Sequence, residues 1–173
     1  MSVRARDEDG FGLVELLMAM VIVSVALLAL MAAYDQAFFS LHSSAKTSSA
    51  ALLANNQLEL YGSLPYASIG LDASTLASVK ASDTVYTADE SSLSGTAGTD
   101  VTISGCGASP QCLPVQTLTG SDGKSYRLET FVRDVTVSSV TERVVTVIAR
   151  AASVAGSPQI VTLSTAFDQG VRS

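Results

Sequence analysis

Residues 10–33, GFGLVELLMAMVIVSVALLALMAA, decide the reading of this chain. From Phe11 to Ala33 only Gly12, Glu15 and Ser24 interrupt an apolar run. At about 1.5 Å per residue the run makes a helix of roughly 35 Å, enough to cross a hydrocarbon core of about 30 Å. It is longer than a secretory h-region, which spans roughly 7–15 residues, and no A-x-A-like cleavage site follows it. The segment is therefore expected to be retained. Its one carboxylate, Glu15, needs a reason, because such a group costs about 3 kcal/mol at a bilayer centre and less near an end. Either Glu15 lies at headgroup level, or it meets a positive charge inside an assembly. A cut between Gly10 and Phe11 would create that charge, an α-amine with an ordinary pKa of about 8.

Outward from this run, composition bounds the remainder. The 173 residues suffice for one modest domain; they are 47% hydrophobic and 15% charged, with mean hydropathy +0.37 and no Trp. Beyond the run the chain is rich in Ser, Thr, Ala, Val and Gly, a mixture suited to a β-rich domain in an extracellular medium. Net charge is −6 and the pI about 4.6, so the electrostatic footprint of a nucleic-acid binder is missing, and no nucleic-acid partner is expected. Cys106 and Cys112, in GCGASPQCLP, read as a disulfide closing a small loop in an exported domain, with a pair of free thiols as the alternative.

The helical pattern continues past Ala33. Tyr34, Phe38, Leu41, Ala45, Ser48 and Leu52 recur at spacings of three and four, and this stripe is expected to pack on the protein's own sheet. The helix runs to about Tyr61, where Gly62 and Pro65 supply stop signals. His42 reads as a polar residue on its exposed face.

From residue 63 to 123 turn formers dominate, with short strands expected at 84–87, 101–104 and 115–119 and a loop closed by the cysteines between the last two. Asp89-Glu90 reads as a solvated loop pair. Strands at 125–135, 143–152 and 159–167 are joined by short connections into an antiparallel meander, and Gly120-Ser121-Asp122-Gly123 reads as the hairpin turn before the first of them. Tyr126, Leu128, Thr130 and Val132 share one face. The fold class is α+β, a long N-terminal helix laid across a C-terminal antiparallel sheet. Its parts are a leader (1–10), a membrane helix (11–33), an amphipathic continuation (34–62) and a β-rich head (63–173).

No Ser/His/Asp arrangement, phosphate-binding Gly loop or metal cluster is present, so no enzyme, cofactor or metal is expected. Asp122-Gly123 reads as a turn rather than a calcium site.

Gly10-Phe11-Gly12-Leu13-Val14-Glu15-Leu16-Leu17 resembles the class III signal of type IV prepilins and type II secretion pseudopilins. The resemblance implies that a prepilin peptidase cuts after Gly10 and N-methylates Phe11. It also implies that Glu15 pairs with the terminal amine of a neighbouring subunit. It departs from the usual pattern at Gly12, where Thr or Ser is common, and the leader MSVRARDEDG is not basic overall, which leaves orientation unsupported by the positive-inside rule. No proline precedes Pro65, which favours a minor pilin or pseudopilin over a major pilin. A second stretch, NNQLELYGSLPYASIG, is similar to the helix end of minor pilins of the pilus-modification type, with Leu58, Leu64 and Tyr66 turning the chain onto the sheet. The implied partners are other pilin subunits, the peptidase and an assembly platform in the membrane. The implied location is the cytoplasmic membrane with the head outside, then a pilus or periplasm-spanning pseudopilus. A secretion or competence pseudopilin, or an anchored binding or adhesion ectodomain that does not polymerise, is the alternative.

Overall fold

The computed structural model describes residues 12–93, 98–106, 109–137, 140–153 and 156–169. The chain divides into two compact units, Met1–Ser44 and Ala45–Ser173. Helix α1 runs Leu13–Gly62, 50 residues without a proline. Its described residues up to Ser44 are all exposed.

The second unit begins within α1 and carries the core. Ser49, Ala50, Ala54, Gln57 and Tyr61 are the buried residues of the helix, at spacings that trace one face. The expected stripe is a different face: Tyr34, Phe38, Leu41, Ala45, Ser48 and Leu52 are exposed. Ala50 and Ala54, both fully buried, let the helix backbone approach the sheet closely, where a Phe or Leu would hold it off. Gln57 donates from Nε2 to the Pro110 carbonyl (3.0 Å), and the Ser49 and Ser121 hydroxyls lie 3.0 Å apart.

The chain then turns through a 3-10 turn at Tyr66–Ser68 into β1 (Leu71–Asp72). Leu58, Leu64 and Tyr66 pack against the core at this turn, as the sequence suggested. Two helices follow, α2 (Ala73–Ser82) and α3 (Thr84–Ser92). Neither was expected, and residues 84–87, expected as a short strand, form the first turn of α3. Local capping decides this. The Asp72 carboxylate accepts from the Thr75 amide (2.9 Å), and that of Asp83 from the Val85 and Tyr86 amides (both 3.1 Å).

The remaining strands are β2 (Gly98–Asp100), β3 (Thr102–Ile103), β4 (Val115–Thr119), β5 (Ser125–Val137), β6 (Val140–Ala151) and β7 (Gln159–Phe167). A five-stranded sheet has the order β2-β5-β6-β7, with β4 also paired to β5, all antiparallel. One edge of β5 carries β6, and the other carries β4 and then β2. β1 and β3 form a separate parallel pair. The molecule is therefore α+β and pilin-like, with the long helix followed by an antiparallel sheet.

Both faces of β5 are covered. Tyr126, Leu128, Thr130 and Val132 share the face whose Tyr126 hydroxyl reaches the Lys46 carbonyl of α1 (3.3 Å). The opposite face meets α3, where Tyr86 stacks on Phe131 at 4.4 Å and donates to the Thr130 carbonyl (2.9 Å).

Candidate functional site

The processing residues Gly10 and Phe11 lie outside the described residues. Gly12 is described and exposed; its carbonyl accepts from the Glu15 and Leu16 amides at 2.9 and 3.2 Å and opens α1. The Glu15 carboxylate therefore sits in the first turn of the helix, exposed, with no hydrogen-bond or ion-pair partner among the described residues. The unsatisfied amides and dipole at a helix N-terminus favour an anion there by about 0.3–1 kcal/mol. That helps a carboxylate in this position but is smaller than the roughly 3 kcal/mol of deep membrane burial. Its signal in the sequence is an acid just inside a helix start.

Beyond Glu15 the helix surface is apolar on every side: Leu17, Met18, Ile22, Val23, Leu27 and Leu28 are all exposed. A helix apolar all round is suited to lipid or to packing among other helices. α1 is long and apolar enough to cross a membrane. The Ser24 hydroxyl donates back to the Met20 carbonyl (2.8 Å), so the run's polar side chain is satisfied within the helix.

The family model described as the prokaryotic N-terminal methylation motif matches residues 5–31. No curated protein and no solved structure matches the chain. The chain thus carries a type IV prepilin-like signal, which supports a pilin-like or pseudopilin protein. Such a motif points to a structural protein rather than an enzyme, to dealings with other pilins and the prepilin peptidase, and to a membrane-anchored chain.

Among the described residues the head contains no second constellation of this kind. His42 is exposed on α1. Cys106 and Cys112 are bonded, with Cα atoms 6.1 Å apart; Cys112 is fully buried, two residues from the Pro110 carbonyl that Gln57 holds. Asp122 clasps its own turn: Oδ1 accepts from the Lys124 amide (3.2 Å) and Oδ2 from the Tyr126 hydroxyl (2.7 Å). These bonds, chiefly that from Tyr126, hold its carboxyl below the usual range. Among the described residues no three His, Cys, Asp or Glu side chains converge as metal ligands.

Two charged clasps of the head were not legible in the sequence. Arg143 on β6 forks onto Asp134 (2.8 and 3.0 Å) and donates to the Tyr66 and Ile69 carbonyls (3.0 and 2.9 Å), with its guanidinium 4.4 Å over the Tyr66 ring. It ties the exit of α1 to the sheet. On the other face Arg127 pairs with Asp83 (2.5 Å) and Glu129 (2.7 Å), and Arg150 pairs with Asp89 and faces Glu129 at 3.6 Å. Asp89 and Glu90 are therefore helical and engaged rather than a solvated loop: Asp89 is held by Arg150 and Gln159, and Glu90 by Lys80 (2.5 Å).

Proposed function

We propose that this protein is a minor pilin-like structural subunit of a type IV pilus or a related filament, the type II secretion and competence pseudopili included. The observation that carries the reading is the methylation motif at residues 5–31. The prepilin peptidase cuts between Gly10 and Phe11 and N-methylates Phe11. The retained helix holds the subunit in the cytoplasmic membrane with its head outside, until an assembly platform moves it into a filament of like subunits. Burial of the apolar helix against other helices then offsets the loss of lipid contact. Glu15 pairs with the Phe11 amine of a neighbour, and this sets register because an unpaired carboxylate among apolar helices is costly. The uninterrupted α1 supports a minor rather than a major subunit. None of these steps calls for a cofactor.

Mass spectrometry of the mature N-terminus tests the processing step. The expected species begins with N-methylated Phe11; an intact leader, or a cut after Ala33, refutes the reading. Gly10→Ala is expected to block or strongly slow the cut. Glu15→Ala is expected to leave processing intact and impair incorporation into filaments, and normal incorporation of that variant would remove the assembly role.

A further inference from the structure

The described cations of the second unit fall into two groups. Lys80, Arg127, Arg133, Arg143 and Arg150 each pair with a carboxylate. Lys46 and Lys124 have no carboxylate within salt-bridge distance among the described residues, and both line one open cleft of 530 Å³. The cleft has Ala151 and Ala152 on its apolar side, Ser125 and Ser153 as hydroxyl donors, and no acidic residue in its lining. The fold brings the lysines together. The hairpin turn between β4 and β5 closes through the Gly120 amide on the Lys124 carbonyl (2.8 Å), and the next residues carry Tyr126, whose hydroxyl reaches the backbone of Lys46 on α1. The acidic neighbour of Lys124, Asp122, is engaged by the Tyr126 hydroxyl and by the Lys124 amide.

We propose that this cleft binds an oxyanion, a phosphate or carboxylate group, carried by a small solute or by one unit of an anionic polymer. In a chain of net charge −6 most of the surface repels anions, whereas two lysines border this cleft with no carboxylate in its lining; the Asp122 charge that Lys124 faces lies outside that lining. Serine hydroxyls can donate to the lone pairs the lysines leave. Lysines are flexible point charges rather than rigid forks, so the site suits exchangeable, salt-sensitive binding over tight capture. The proposal concerns a ligand of the head and does not rest on the assembly role of Glu15.

The test is an NMR titration of the full chain in detergent micelles at low salt, with inorganic phosphate and, separately, with polyphosphate. Amide shifts are expected at Lys46, Lys124, Ser125 and Ser153, weakening as sodium chloride is added. Lys46→Gln and Lys124→Gln are each expected to weaken binding about two- to five-fold, the scale of an exposed ion pair. Both substitutions leave the Lys46 carbonyl and the Lys124 amide in place, and an unchanged melting temperature shows that the head stays folded. Binding of both probes assigns the site to free oxyanions; binding of polyphosphate alone assigns it to a polymer unit. Shifts with neither probe, shifts away from the cleft, or a double variant that binds like the parent would overturn the proposal.

Discussion

Glu129 lies midway along β5 with 0% of its surface exposed, between Arg127 on its own strand and Arg150 on β6, while Asp83 and Asp89 of α3 face the same arginines. Three carboxylates thus share two guanidinium groups. Burial pushes the Glu129 carboxyl up from the ordinary 4.5 to about 7, the neighbouring Asp89 adds to this, and the arginines oppose it. Burial also pushes Asp83 and Asp89 up, but their hydrogen bonds outweigh it and hold both below the usual carboxylate range. Between pH 4.5 and 7 the folded head keeps a proton on Glu129 that the unfolded chain has released, so its stability falls as pH rises through that window. The full effect is about 3 kcal/mol at roughly 1.4 kcal/mol per pKa unit. The two aspartates act in the opposite sense and only at lower pH. Glu129→Gln is expected to flatten the slope of urea-denaturation stability between pH 5 and 8 and to raise stability at pH 8. Curves of variant and parent that run parallel would show that Glu129 does not titrate there. A second residue-scale expectation concerns Gly120. A Cβ there would stand 2.7 Å from the Tyr126 ring, 2.9 Å from Asp122 Oδ1 and 3.1 Å from the Ser49 Cβ. The Tyr126 ring is 1% exposed and has no room to retreat, so Gly120→Ala should destabilise the head by about 1–3 kcal/mol in denaturant titration.

Among the elements, α1 shows why large side chains mislead. Tyr34, Phe38, Leu41 and Leu52 draw the eye to a stripe, but the helix packs on the sheet through Ala50 and Ala54, with Gln57 reaching Pro110. The face can be checked by opposite substitutions. Ala54→Leu forces a larger side chain into a closed contact and should cost about 1–3 kcal/mol; Leu52→Ala, at a site 51% exposed, should change head stability by less than about 0.5 kcal/mol. A reversed order of the two effects would mean that the expected stripe is the docking face after all. The strands β4 to β7 were readable because alternation and turn residues coincide along continuous sequence: the expected 115–119 and 159–167 agree with β4 and β7, and the other two differ by a few residues at their ends. α2 and α3 were not readable, because apart from Leu76 and Tyr86 their own residues are small, polar or β-branched. Their helical state rests on the caps Asp72 and Asp83 and on Arg127 and Arg150, which lie 44 and 61 residues beyond their partners Asp83 and Asp89. Such long-range pairing leaves no local pattern. In the candidate site Glu15 was legible as an isolated charge in an apolar run, whereas its place in the first helical turn, and the two lysines meeting in one cleft, depend on where α1 starts and how the β4–β5 turn docks.

At the scale of the whole chain, the two units answer to different solvents. Every buried residue among those described lies at or beyond Ser49, while the apolar residues from Leu13 to Met31 are exposed. An apolar surface of that extent is not tolerated in water and calls for lipid or neighbouring helices. The second unit, by contrast, has its own core: Ala50, Ala54 and Tyr61 from α1, Tyr86 from α3, and Leu128, Phe131, Val145, Val147 and Ile148 from the sheet. A short isolated helix is marginal in water, so the part of α1 after Ser44 must draw its stability from that packing and from the Lys46, Ser49 and Gln57 contacts. A fragment covering residues 45–173 is therefore expected to be soluble without detergent and to unfold cooperatively. Its melting temperature should lie within a few degrees of the head transition measured in the full chain in micelles. Near-UV circular dichroism of the buried tyrosines reads the packing directly. A fragment with strand content but no near-UV signal, or one that aggregates, would mean that the head does not fold on residues 45–173 alone. A cooperative fragment would place the requirement for membrane or filament in the helix that carries Glu15.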